Sequence, residues 1–351
     1  MHNDKSIPSF GILLFFIIIF GGISLKKKVV AFHNVQQPTL EKLRKDFDVT
    51  YFPENASLQN ESFIQAIQDA EALIGTGLKM DAELLDQAPN VKVVATVSVG
   101  YNLFDIEELT KRNIMATHTP DVLTDAVADA IFGLLVATAR RMPQLDKFVK
   151  DGKWTEDTPY EATFGMDVHH KTIGIIGFGR IGQAIAQRAH HGFHMNVLYH
   201  SRTRKEDAEE TYRASYCSLD DLLKKSDYVV LMTPLTKETE GLLGAREFSL
   251  MKKSAIFING SRGQTIVEQD LIAALQNGDI AAAGLDVFEK EPVDPDNPLL
   301  QMDNVVTLPH IGSATYETEV AMSELARKNV VAALQGEKPP ALINKEVWQD
   351  N

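Results

Sequence analysis

The stretch from Lys171 to Ala189, KTIGIIGFGRIGQAIAQRA, constrains the fold more than any other. Thr172 to Ile176 is a short β-branched apolar run, suited to a strand buried on both faces. Gly177, Gly179 and Gly182 then fill a G-x-G-x-x-G spacing, and Ile181, Ile185 and Ala189 continue at helical intervals. Strand, tight turn and helix are predicted in that order. The first glycine permits the turn and the second lets a pyrophosphate approach the backbone. The third allows the helix to pack closely on the strand, and the helix N-terminus faces the anion. Glycine-rich turns are common, and the plain alternative is an ordinary strand-to-helix turn. The flanking strand and helix favour dinucleotide binding.

The next strand, Met195 to Tyr199, bears on which dinucleotide. A carboxylate at its end would bond the ribose 2′-hydroxyl of NAD. This chain instead reads His200, Ser201, Arg202, Thr203, Arg204, Lys205, and its first carboxylate there is Glu206. A basic, hydroxyl-bearing loop suits the 2′-phosphate of NADP(H), because guanidinium groups fork onto phosphate. A solvated charged loop is the plain alternative. NADP(H) is the expected cofactor.

A chain of 351 residues has room for two domains, each with its own core. Acidic residues outnumber basic ones, 48 to 35, for a net charge of −13. That argues against nucleic acid as a partner, since a nucleic-acid surface needs a basic footprint. One cysteine, Cys217, excludes an internal disulfide and is expected to be a small core residue. His169, His170, His190, His191 and His194 lack accompanying carboxylates or cysteines at ligand spacing, so no metal site is expected.

Phe10 to Phe20 is an unbroken apolar run, too short to span a bilayer comfortably and lacking the flanks of a signal peptide. Lys26, Lys27 and Lys28 follow it, and by the positive-inside tendency would keep the rest of the chain in the cytoplasm. Residues 1–24 are expected to be an untranslated extension. Codons for Gly21 and Gly22 can spell a ribosome-binding site, and Leu25 can be a TTG start. The runner-up is a membrane anchor. The expected location is the cytoplasm.

Strands are predicted at 28–32, 48–52, 72–74, 91–97 and 114–116, with helices at 39–46, 62–70, 81–87 and 105–112 between them. Such alternation implies a parallel sheet. Asp121 to Met142 then reads as one long helix capped by Asp121 and followed by Pro143. It is too apolar all round for a surface helix, so burial between domains or subunits is expected. Arg140 and Arg141 at its end complement the dipole. Trp154 and Phe164 in the connector are expected to pack. Strands resume at 172–176, 195–199, 228–232, 255–259, 281–285 and 304–308, and a helix at 321–334 returns to the first domain. The expected fold is α/β, with two Rossmann-like domains built on doubly wound parallel sheets. A cofactor domain, 121–310, is inserted in a discontinuous substrate domain, 25–120 and 311–345.

Three polar residues sit just beyond strands of the second domain: Arg262, Glu291 and His310. Ligands of open α/β sheets bind outside the carboxyl ends of strands. For hydride transfer to a 2-oxo acid, Arg262 suits the substrate carboxylate and the keto oxygen. His310 suits a proton donor, and Glu291 would orient its ring and favour its charged form.

With these residues in view, the chain resembles the D-2-hydroxyacid dehydrogenase family. The motifs that carry the resemblance are GFGRIG at 177–182, INGSRG at 258–263, GLDVFEKEP at 284–292 and PHIGSAT at 309–315, and it spans Lys26 to about Asn344. Within the family it is most similar to bacterial glyoxylate/hydroxypyruvate reductases that also reduce 2-ketogluconate. The resemblance implies a catalytic triad of Arg262, Glu291 and His310. It implies that the amides of Val99 and Gly100 hold the substrate carboxylate and that Asp286 contacts the nicotinamide. It assigns Thr233 and Pro234 to the cofactor cleft, together with Thr124, Arg180, Ile181, Thr203, Gly260 and Gly312. A homodimer is implied, with the long helix in the interface. One loop departs from the family's V-G-Y-D-N: here it reads Val99-Gly100-Tyr101-Asn102-Leu103. A corepressor of the same fold, sensing dinucleotide without turnover, is the alternative. The acidic charge and lack of long interaction tails count against it.

Overall fold

The computed structural model describes residues 26–348. The readings for residues 1–24, an untranslated extension or an anchor, lie outside that range. Among the described residues no helix is long and apolar enough to cross a membrane.

Two all-parallel sheets form the framework. The first contains β1 (Lys28–Phe32), β2 (Asp48–Phe52), β3 (Ala72–Gly75), β4 (Val93–Thr96) and β5 (Met115–Thr117), in the order β2-β1-β3-β4-β5. The second contains β6 (Thr172–Ile176), β7 (Asn196–His200), β8 (Ala214–Tyr216), β9 (Tyr228–Leu231), β10 (Ile256–Asn259), β11 (Ala282–Leu285) and β12 (Val305–Thr307). Its order is β12-β11-β10-β9-β6-β7-β8. The strand order reverses between β1 and β3 in one sheet and between β6 and β9 in the other. Such switch points open the crevices where α/β proteins bind ligands.

Why these runs become central strands follows from burial on both faces. In β1, Val29 and Ala31 join one core while Val30 and Phe32 join another on the opposite face. In β9, Tyr228 and Val230 face one core, and Val229 and Leu231 face the other. Each such side chain contributes roughly 1.5–3 kcal/mol on burial. One core runs from the first sheet, through the Thr124–Ala139 helix, to the second sheet. The returning Tyr316–Gln335 helix packs on β3 and β4, so it covers the first sheet.

Several expectations need correction. The long helix is two helices, Thr124–Ala139 and Met142–Lys150. The break falls at Arg141, whose φ of 53° is left-handed, and Pro143 opens the second helix instead of following the first. Asp121 does not cap the helix: Leu123 holds that position, and the Asp121 carboxylate pairs with Arg180. Arg141 does not serve the helix end either; its guanidinium donates to the carbonyls of Ala162 and Phe164, 3.0 and 3.1 Å away. Trp154 and Phe164 are exposed, at 68% and 51%, so neither is a core residue as expected, although Phe164 packs edge-on against Tyr160 with ring centroids 5.0 Å apart. The short edge strand β8 went unpredicted because its three residues, ASY, carry no apolar run. The returning helix also starts at Tyr316, a full turn before the expected 321, behind a Thr315 cap whose hydroxyl accepts from the Thr318 amide.

Candidate active site

Arg262, Glu291 and His310 follow β10, β11 and β12, three neighbours in one sheet. Parallel strands bring their carboxyl ends to one edge, so residues far apart in sequence meet there. Glu291 Oε2 lies 2.7 Å from His310 Nδ1, and Glu291 Oε1 accepts from the Phe288 amide at 3.0 Å. Burial pushes the Glu291 carboxyl up. The bonds from His310 and Phe288 and the nearby charges outweigh it and hold the carboxyl below its usual range. Nδ1 is thereby engaged, which leaves Nε2 as the imidazole nitrogen available to the cleft.

The loop that carries His310 is held from beneath. His310 adopts a left-handed φ of 55°, uncommon for a non-glycine residue. Buried Asp286 accepts from the next two amides, Ile311 at 2.7 Å and Gly312 at 2.9 Å. Burial raises the Asp286 carboxyl, against the lowering effect of those amides. Both Asp286 oxygens are therefore engaged by the loop, a bracing role that sequence reading did not reveal.

Arg262 is held by a buried polar net that sequence reading also missed. Ser261 donates its amide and hydroxyl to Asn259 Oδ1 at 3.0 and 2.8 Å, and its hydroxyl lies 2.9 Å from Thr265 Oγ1. Asn259 and Thr265 in turn donate to the Arg262 carbonyl. The Arg262 guanidinium donates to the Ser261 carbonyl at 2.7 Å and lies over Gly100 of the first domain. A Cβ at position 100 would meet its Nη2 at 2.2 Å, so a larger residue there would push the guanidinium aside. Burial pulls the guanidinium below its ordinary value, opposed by the charge of Glu291, and it stays protonated.

These groups open onto a cleft of about 830 Å³ between the two sheets. Its far wall comes from loops after β1, β3 and β4, including Asn34, Thr76, Ser98, Gly100 and the 101–104 segment. Val99 lies beside this wall, and its carbonyl is 3.0 Å from His118 Nδ1. Tyr101 stacks edge-on against His118, with ring centroids 5.5 Å apart. Glu319 and Met322 of the returning helix close one side. Neither was singled out in the sequence, although their three-residue spacing puts them on one helix face.

The glycine turn forms a second crevice, at the β6–β9 switch point. Gly177 has φ +95°, and a Cβ there would fall 2.6 Å from the Met232 carbonyl. A Cβ on Gly182 would fall 2.3 Å from the Gly177 carbonyl, whereas the space about Gly179 is open. Beside the turn, Thr233 Oγ1 is buried without a hydrogen-bond partner. An open backbone cradle at a helix N-terminus, next to an orphaned hydroxyl, fits a dinucleotide phosphate. Pro234 is exposed beside it. Thr124 opens the 124–139 helix, Arg180 pairs with Asp121, and Ile181 follows in the 180–187 helix. Gly260 ends β10 against Ile131.

Beyond β7, Ser201 donates to the Thr203 carbonyl at 2.7 Å. Arg204 forks onto Glu209, with both contacts at 2.8 Å, and Tyr199 donates to the same carboxylate at 2.6 Å. Arg204 and Tyr199 hold the Glu209 carboxyl down at about 2. Arg204, expected to meet a 2′-phosphate, is thus engaged within its own loop. Among the described residues, Arg202 makes no hydrogen bond or ion pair. Also among those residues, no group of three or more His, Cys, Asp or Glu side chains is disposed to hold a metal.

Two parallel Rossmann-type sheets, a phosphate cradle and an Arg–Glu–His cleft define a nicotinamide-dinucleotide-dependent oxidoreductase. Residues 132–312 match the family model for the D-isomer specific 2-hydroxyacid dehydrogenase NAD binding domain. A glyoxylate/hydroxypyruvate reductase B of Klebsiella pneumoniae is 48% identical over 327 residues, covering 92% of this chain and 100% of that protein. Among solved structures, a Thermus thermophilus protein is 38% identical with a TM-score of 0.83, covering 90% of this chain and 99% of its own. An NADPH-dependent glyoxylate/hydroxypyruvate reductase of Sinorhizobium meliloti, solved with NADP and malonate, is 31% identical with a TM-score of 0.82. It covers 93% of this chain and 99% of its own. The chain belongs to the D-2-hydroxyacid dehydrogenase family.

Proposed function

We propose that the protein reduces small 2-oxo acids, glyoxylate and hydroxypyruvate foremost and 2-ketogluconate as a further candidate, using NADPH. The observation that carries this reading is the 2.7 Å His310–Glu291 pair facing the same cleft as Arg262. Relatives named for these substrates, at nearly half identity over almost the whole chain, support it.

The cofactor would sit across the glycine turn, with Gly177 to Gly182 at its phosphates and Thr233 and Pro234 along its cleft. When bound, it supplies the hydride that goes to the carbonyl carbon. The protein's part is to bind, orient and protonate. Arg262 and the amides of Val99 and Gly100 would hold the substrate carboxylate, and Arg262 would also polarise the carbonyl. Protonated His310 gives its Nε2 proton to the carbonyl oxygen as that oxygen gains negative charge. Glu291 keeps the ring in place and compensates its charge. Asp286 keeps the 310–312 loop in register beneath the nicotinamide site.

Preference for NADPH rests on the loop after β7, whose first carboxylate is Glu206, and on Arg202, which makes no hydrogen bond or ion pair among the described residues and whose charge reaches Glu238, with Ser201 and Thr203 alongside. In this reading residues 25–120 and 311–345 form the substrate domain, and 121–310 the cofactor domain. A homodimer is part of it. Met142, Val149, Trp154, Tyr160 and Phe164 are all exposed in one stretch after the buried helix, so this stretch takes over the interface role first given to the long helix. The reading places the enzyme in the cytoplasm, which fractionation of the untagged protein checks. The central test follows NADPH oxidation with glyoxylate and hydroxypyruvate and repeats it with NADH. Rapid turnover with NADPH alone is expected. Equal efficiency with NADH would overturn the cofactor preference, and no turnover with either would overturn the function.

A further inference from the structure

One charged group in the cleft has no part in that mechanism. Glu319 lies in the first turn of the returning helix and lines the cleft together with Arg262, His310 and Asn34. Its side chain makes no hydrogen bond or ion pair among the described residues. Four residues later, Ser323 accepts from the Gln36 amide at 3.2 Å and donates to the Asn34 carbonyl at 3.3 Å. That pins this helix face to the loop after β1, so Glu319 stands one turn nearer the cleft beside Asn34. Burial pushes its carboxyl up.

The bland role for a glutamate here is compensation of the helix dipole. Glu317, exposed in the same turn, supplies that without lining the cleft, so the dipole does not account for the place of Glu319 in it. A carboxylate accepts hydrogen bonds and donates none when ionised. Lining a site for an anion, it repels a second carboxylate and rewards a hydroxyl.

We propose that Glu319 selects among substrates by accepting a hydrogen bond from a hydroxyl on the carbon chain beyond the keto group. Hydroxylated 2-oxo acids are thereby favoured and 2-oxo dicarboxylates excluded. Glyoxylate has no such hydroxyl and gains nothing from it. This inference rests on the reductase reading above.

The test compares wild type, Glu319→Ala and Glu319→Gln with NADPH and three substrates: hydroxypyruvate, glyoxylate and oxaloacetate. For Glu319→Ala, kcat/KM is expected to fall about ten- to a hundredfold with hydroxypyruvate, the range of a lost hydrogen bond to a charged group. Glyoxylate should be reduced at least as well as by wild type, since a repelling charge is gone. Glu319→Gln keeps one acceptor oxygen and should recover part of the hydroxypyruvate loss. Both variants should gain activity with oxaloacetate. Retained glyoxylate turnover also shows that the variants fold. Equal loss on glyoxylate and hydroxypyruvate, or an unchanged ratio between them, overturns the proposal while leaving the reductase reading intact. Wild-type protein inactive on both substrates would bring down the reading itself and the proposal with it.

Discussion

The two walls of the cleft are held in different ways. On the seven-stranded side every reactive group has a supporting partner: Glu291 for His310, the Phe288 amide for Glu291, Asp286 for the 310–312 loop, and the Asn259–Ser261–Thr265 net for Arg262. On the five-stranded side Tyr101 and Leu103 are each 42% exposed, and Glu319 has no partner among the described residues. In the proposed reading the substrate carbonyl faces the braced wall, and the carboxylate lies between Arg262 and the Val99 and Gly100 amides of the other wall. In the same reading the part of the substrate that varies would face the five-stranded side. Preorganised groups cost no rearrangement when charge develops, so the braced wall is where rate is made. The open wall can change side chains without disturbing that geometry.

If this division holds, substitutions on the braced wall should slow all substrates alike. The largest effect is expected for His310→Ala, where kcat should fall roughly 10²–10⁴-fold with glyoxylate and hydroxypyruvate alike. Arg262→Ala should raise KM and lower kcat together, because that residue meets both the substrate carboxylate and the polarised carbonyl. Steady-state kinetics with both substrates would break the division if either variant spared one of them.

A smaller effect is expected in the cofactor loop. Arg202→Ala should raise the KM for NADPH about tenfold, near the value of one charged hydrogen bond, and leave the KM for NADH almost unchanged. Equal changes for both cofactors would remove Arg202 from phosphate recognition. The smallest effect concerns Glu209. Its carboxyl is held at about 2 in the folded loop, below the ordinary 4.5. A depressed carboxyl contributes stability that is fully present above the unfolded value and fades as pH falls through the folded one. Wild type should therefore melt above Glu209→Gln at neutral pH, and the gap should narrow on acidification from about pH 4.5 toward about 2. A gap that stays constant over that window would show that the Arg204–Glu209 pair does not set it.

Much of the fold was legible because parallel strands buried on both faces must be continuous apolar runs. Thr172–Ile176 and Lys28–Phe32 coincide with β6 and β1, whereas the edge strand β8, with a single buried residue, left no such mark. The helix break at Arg141 was illegible for another reason. Arginine carries no signal for a left-handed φ, and Pro143 serves equally well after one helix or at the start of the next. At the site, the places of Arg262, Glu291 and His310 could be read as strand ends. Their partners could not, because Asp286 meets residues 311 and 312 only through the pairing of β11 with β12. Arg204 shows the same limit: its basic character was plain, but the neighbour that engages it was not.

The chain alone determined that strands and helices alternate, that a glycine turn opens a helix, and that three polar residues stand beyond strand ends. Those are local matters of periodicity and backbone freedom, settled within a few residues. Only the tertiary structure decided that Glu209 engages Arg204, which carboxylate braces the histidine loop, and that Glu319 shares a cleft with Arg262. These depend on distances between segments far apart in the chain, set by strand order and by the packing of the returning helix.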